Sequence, residues 1–109
     1  MRSLLFFDLP TLTAANRKTY RKFIKLLKRN GFYMLQESVY CKMSIDKQSA
    51  DATLAKLKKE KPSEGSVMML TVTEKQFASM EILLGYSTSD VLATTDRVTE
   101  LWKKYLLSS

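Results

Sequence analysis

Phe32-Tyr33-Met34-Leu35-Gln36-Glu37-Ser38-Val39-Tyr40-Cys41-Lys42-Met43 is the stretch on which the fold turns. Aromatic side chains crowd it, and such residues favour a pleated, half-buried backbone. It reads as one long strand from Phe32 to about Met43, closing on Ser38-Val39-Tyr40-Cys41. Alternation puts Phe32, Met34 and Tyr40 on one face and Tyr33, Leu35 and Val39 on the other. A strand that is apolar on both sides belongs to a sheet covered on both sides.

Upstream, Asn30-Gly31 is a helix stop. It closes a helix predicted from Ala14 to about Asn30, with Thr13 as N-cap. Tyr20, Phe23, Ile24 and Leu27 fall at the spacing of one helix face. Before it, Ser3 to Asp8 is a strand whose Leu4-Leu5-Phe6-Phe7 leaves no polar side, and Leu9-Pro10 stops it. Downstream, Asp46 or Ser49 caps a second helix to about Glu60, with Ala50, Leu54 and Leu57 inward. Lys61-Pro62 ends that helix and Glu64-Gly65 turns the chain. Ser66 to Thr73 is a further strand, Glu74 to Met80 one or two helical turns, and Glu81 to Leu84 a short strand ended by Gly85. Ser87 to Thr95 is polar loop, and Arg97 to Trp102 a terminal strand. We read the order as βαββαβ with an extra C-terminal strand, within one domain over 1–109 whose last strand and tail occupy about 96–109. That is the α+β, ferredoxin-like arrangement: an antiparallel sheet with its helices on one face. Two helices leave the other face open, so a second copy is expected to stack there as a homodimer. The alternative cover is the fifth strand and tail.

The 109 residues suit one small core. The apolar run Leu4 to Phe7 is far short of a membrane span, so no membrane role is expected. Met1-Arg2-Ser3-Leu4 passes directly into it with no leader pattern, and the single cysteine, Cys41, allows no internal disulfide. Both fit a reducing cytoplasm. There is no histidine, which removes the Ser-His-Asp triad and most zinc sites. Hydrolysis would then need a metal on carboxylates, for which Mg²⁺ is the natural ion.

The net charge of +7 resides in one segment. No acid lies between Asp8 and Glu37, whereas Arg17, Lys18, Arg21, Lys22, Lys25, Lys28 and Arg29 do; the remainder carries eleven basic and eleven acidic residues. Solvated faces usually mix signs. Seven like charges repel one another and make sense against a polyanion. Nucleic acid is the expected ligand, held by its backbone because no base-reading motif is present. Arg17, Lys18 and Arg21, near the helix start, lead the candidates; Arg2 and Lys75 extend the track, and Lys42 ranks below them. Asp8, at a strand end, is the one metal-ligand candidate, and its structural alternative is a turn-former before Pro10. Tyr40 and Cys41 are expected in the core or an interface, and Met68-Met69 as core filler.

Phe6-Phe7-Asp8-Leu9-Pro10, Asn30 to Tyr40, and Leu70-Thr71-Val72-Thr73-Glu74-Lys75-Gln76-Phe77 together resemble the family of CRISPR-associated protein two, in a form similar to that of type II-A systems. The resemblance runs from about residue 3 to 102. It implies a homodimer of ferredoxin-like domains with stacked sheets, seated between dimers of the CRISPR integrase, CRISPR-associated protein one. It implies a double-stranded DNA ligand, and catalysis of spacer insertion by the integrase. It also implies, from members described as Mg²⁺-dependent endonucleases, that two Asp8 copies share a metal across the dimer axis. The leading expectation is a DNA-binding scaffold and the second a metal-dependent endonuclease. A single-stranded RNA-binding module is disfavoured, because aromatic base platforms are missing.

Overall fold

Seven elements succeed one another over residues 1–85, the part that the computed structural model describes. They are β1 (Arg2–Asp8), α1 (Ala14–Arg29), β2 (Tyr33–Gln36), β3 (Val39–Met43), α2 (Lys47–Lys59), β4 (Ser66–Val72) and α3 (Glu74–Ala78). The chain divides into two compact units, Met1–Val72 and a second beginning at Thr73. The first holds the whole sheet and both long helices.

The sheet order is β2-β3-β1-β4 and every pairing is antiparallel. This is the ferredoxin-like α+β fold that the order of elements predicts. The predicted strand 32–43 is corrected in one respect: it breaks at Glu37-Ser38 into the hairpin β2–β3. Ser38 takes φ 64, and the register shifts between Met34 and Gln36. A two-residue turn normally announces itself with Gly or Asn. Here it holds neither, so an apolar pattern on both sides of it looks continuous. The break supplies the two adjacent strands that βαββαβ requires. A second correction concerns 81–84: no strand forms there, and Leu83 and Leu84 are 97% exposed. Four apolar letters before a glycine suggest a strand, yet none finds a partner among the described residues. The predicted strand 97–102 and the tail, including Trp102, lie outside the described residues.

Both long helices form where local chemistry predicts. The Thr13 side chain accepts from the Asn16 amide at 3.0 Å, and Asn16 returns a bond to the Thr13 amide. At the far end, the Asn30 side chain donates to the Leu26 carbonyl at 2.8 Å, and Gly31 adopts φ 87. Asp46, rather than Ser49, caps α2 by accepting from the Ser49 amide at 2.8 Å. Ala50, Thr53 and Leu57 face inward, with Leu54 half-buried.

The core lies between the helices and one face of the sheet. Leu5 and Phe7 of β1 and Tyr40 of β3 meet Phe23, Leu26 and Leu27 of α1 and Leu57 of α2. Phe7 is central: its ring lies 5.8 Å from Tyr20, 5.4 Å from Phe23 and 5.7 Å from Tyr40. The opposite face carries Leu4, Phe6, Val39 and Cys41, with Met43, Met68 and Leu70. The last three are 43, 64 and 54% exposed. Met68 is therefore surface rather than core filler, whereas its neighbour Met69 packs on the core. Alternation along β4 separates the two.

Candidate nucleic-acid interface

At about 100° per residue, all seven cations of α1 fall within one arc of roughly 140°, opposite Phe23. All seven are exposed, and the buried stripe Phe23, Leu26 and Leu27 fixes the outward direction of the arc. No acid occurs on α1, so no intrahelical ion pair can form. Four pairs at i,i+4 are instead like-charged (Arg17–Arg21, Lys18–Lys22, Arg21–Lys25, Lys25–Arg29). Each such pair destabilises a helix by about 0.2–0.5 kcal/mol.

The helix dipole accounts for part of the charge. Lys28 and Arg29 stand in the last turn, where cations are favoured. Arg17 has a structural task as well. Its guanidinium donates to the carbonyls of Thr11 and Leu12, both at 3.1 Å, and so ties the loop from β1 to the first turn of α1. Lys18, Arg21, Lys22 and Lys25 have neither function.

The other sequence candidates divide. Arg2 is fully buried and donates to the Tyr33 hydroxyl at 2.6 Å, so its charge is not presented beside the α1 arc. Arginine next to an apolar run reads as surface charge in a sequence; the fold instead buries it and brings the Tyr33 hydroxyl of β2 to its guanidinium. Lys42 is half-buried and its amine donates to Thr53 Oγ1 at 3.1 Å. Burial, and then the charge of Lys56, hold its amine below the usual lysine range. Lys75 is exposed on α3, in the second unit. Tyr40 and Cys41 are buried as expected, and burial followed by the neighbouring Tyr20 raises the Tyr40 phenol.

Asp8 is exposed at the end of β1, opposite Ser66. Its backbone is held closely. Phe7 donates to the Ser38 carbonyl at 3.1 Å, and a Cβ on Gly65 would stand 2.5 Å from the Asp8 carbonyl oxygen. Gly65, at φ 91, is therefore required both for its backbone angle and for this approach. The sequence shows Gly65 only as a turn residue. Among the described residues no three acidic or cysteine side chains gather as a metal site. One chain offers the single carboxylate of Asp8, so a Mg²⁺ ion held there would take its remaining ligands from water, phosphate or a second copy.

The first unit is thus a small ferredoxin-like domain with a one-sided cationic helix, a carboxylate at the end of its first strand, and Met43, Met68 and Leu70 exposed on the sheet face opposite the helices. More specifically, the chain belongs to the Cas2 family: the family model described as CRISPR associated protein Cas2 matches residues 1–80. A protein of Treponema denticola, named CRISPR-associated endoribonuclease Cas2, is 46% identical over 93% of this chain and all of its own length. One from Streptococcus mutans, with the same name, is 43% identical over 96% of each chain. A third so named, from Acidovorax ebreus, is 47% identical over 78% of this chain and 83% of its own. No helix among the described residues is long and apolar enough to cross a membrane.

Proposed function

We propose that the chain acts as a cytoplasmic homodimeric scaffold in CRISPR spacer acquisition, bridging integrase dimers and holding the protospacer duplex by its backbone. The observation that carries this reading is the arc of seven exposed cations on α1 without one acid. Phosphates would relieve its self-repulsion, and such contacts are independent of sequence. Dimerisation is supported by the exposed Met43, Met68 and Leu70 on the face opposite the helices. Met68 and Leu70 are successive residues on this face of β4, and exposed apolar side chains of this size favour burial.

The second reading is a Mg²⁺-dependent endonuclease, favoured by the endoribonuclease names of the relatives and by the exposed position of Asp8. It requires two Asp8 carboxylates, one from each copy, together with waters. Asp8→Ala separates the two readings. For the scaffold, spacer integration with the partner integrase continues at close to the wild-type rate. Loss of integration by a folded, dimeric Asp8→Ala protein would transfer the function to the metal site.

A further inference from the structure

A second concentration of charge shares Lys22 and Arg29 with the α1 arc and adds cations from α2 and the loop after it. Residues of α1 from Thr19 onward, the C-terminal end of α2 and the loop that follows it line two adjoining open clefts. The first, of about 310 Å³, is lined by Thr19, Lys22, Phe23, Leu26, Arg29 and the segment Glu60 to Ser63. The second, of about 440 Å³, shares Leu26, Arg29 and Glu60 with it and adds Asn30, Lys56 and Lys59. Five cations (Lys22, Arg29, Lys56, Lys59 and Lys61) thus line one concavity against the single acid Glu60. In the sequence this region looks balanced, because Asp51 lies on the same helix. At about 100° per residue, however, Asp51 stands roughly 140° around α2 from Lys56 and does not line the clefts. A concave, low-dielectric wall of one sign focuses its potential on an anion.

We infer that this groove binds an extended acidic segment of a protein partner. Three observations select a peptide among polyanions. Its size is that of a short chain: the lining runs along α1 from Thr19 to Asn30, about 16 Å at helical rise, which an extended chain spans with about five residues. Its wall is mixed: Leu26 and Pro62 offer apolar contact, and the Thr19 and Ser63 hydroxyls can meet a peptide backbone. Its aromatic residue is withdrawn: Phe23 is 3% exposed, so it offers no ring face on which a single-stranded base could stack. A duplex, by contrast, is met by the convex arc of α1. Arg29 is placed to take one carboxylate in a paired, two-bond contact, with the lysines holding the others as point charges.

The test uses the full chain and a fluorescein-labelled peptide with Asp-Glu-Leu-Glu-Asp between Gly-Ser flanks. Its partners are the same peptide with Asn and Gln in place of the acids, a single-stranded oligonucleotide of equal charge, and a duplex. Anisotropy at physiological salt should give binding of the acidic peptide and roughly tenfold weaker binding of the amide version. Lys56→Glu with Lys59→Glu should weaken the acidic peptide by roughly tenfold or more while duplex affinity changes by less than about threefold. Lys18→Glu with Arg21→Glu should do the reverse. Thermal melts confirm folding, and the Gln versions of the same changes replace any Glu variant that does not fold. Equal binding of the acidic and amide peptides would overturn the inference. So would equal losses for peptide and duplex in both double variants, which would mean net charge alone. A Lys56/Lys59 loss confined to the oligonucleotide would assign the groove to single-stranded nucleic acid instead.

Discussion

Replacing Lys18 and Arg21 by glutamine removes two charges from the centre of the α1 arc and disturbs little else. Both side chains are exposed, and neither makes the loop contacts that Arg17 makes. If each meets one phosphate, each contributes about −0.9 to the slope of log affinity against log salt. Raising salt fourfold then costs each contact about 0.5 log unit, so the wild type loses roughly tenfold more affinity than the double variant over that range. The measurement is a salt titration of duplex binding, made with the integrase present and repeated on two unrelated duplex sequences. The slope should flatten by about 1.8 for each engaged copy of α1, by the same amount on both sequences. An unchanged slope with protein and complex intact would make the arc a solvated face. A change on one sequence alone would refute backbone-only contact. Arg17→Gln is the instructive comparison: it should flatten the slope less cleanly, because it also releases the Thr11 and Leu12 carbonyls and lowers the melting temperature.

Other outcomes follow from particular contacts. Met68→Glu with Leu70→Glu places charge on the exposed sheet face, and sedimentation at micromolar protein should then give monomers in place of dimers with the helical circular dichroism unchanged. Gly65→Ala should destabilise the fold by about 1–3 kcal/mol or more in denaturant titration, because strain at φ 91 adds to the collision with the Asp8 carbonyl. The Asp46 carboxyl is held below its ordinary value of 3.8 by the Ser49 amide, first through the backbone bond. Its folded-state value is depressed, so its contribution is full above 3.8 and is lost as pH falls through the folded value. Asp46→Asn should keep the cap and remove this acid sensitivity, whereas Asp46→Ala should lower the melting temperature at neutral pH; identical melts for all three proteins would exclude the cap as a source of stability.

Much of this molecule is determined locally. Thr13, Asn30-Gly31 and Asp46 set helix ends through bonds to atoms three or four residues away, so a linear reading finds them. The stripe Tyr20, Phe23, Ile24 and Leu27 and the absence of acids on α1 are likewise properties of one segment, which is why the core face and the cationic arc are legible before folding. The fold class follows from the order of these elements. Tertiary structure decided what depends on residues far apart in the chain. The Glu37-Ser38 turn lacks a turn residue, and it is the pairing of β1 with β3, with Phe7 donating to Ser38, that holds the hairpin in register. Arg2 looks like surface charge until the fold buries it and brings Tyr33 to its guanidinium. Gly65 acquires its necessity only when β4 lies against the end of β1. Lys56 and Lys59 appear neutralised along the sequence, but a helix sends Asp51 and Lys56 in different directions. Packing then sets Lys56 beside Arg29, twenty-seven positions away. Charge counted along a chain is an average over directions, and only the folded backbone assigns each charge to a side.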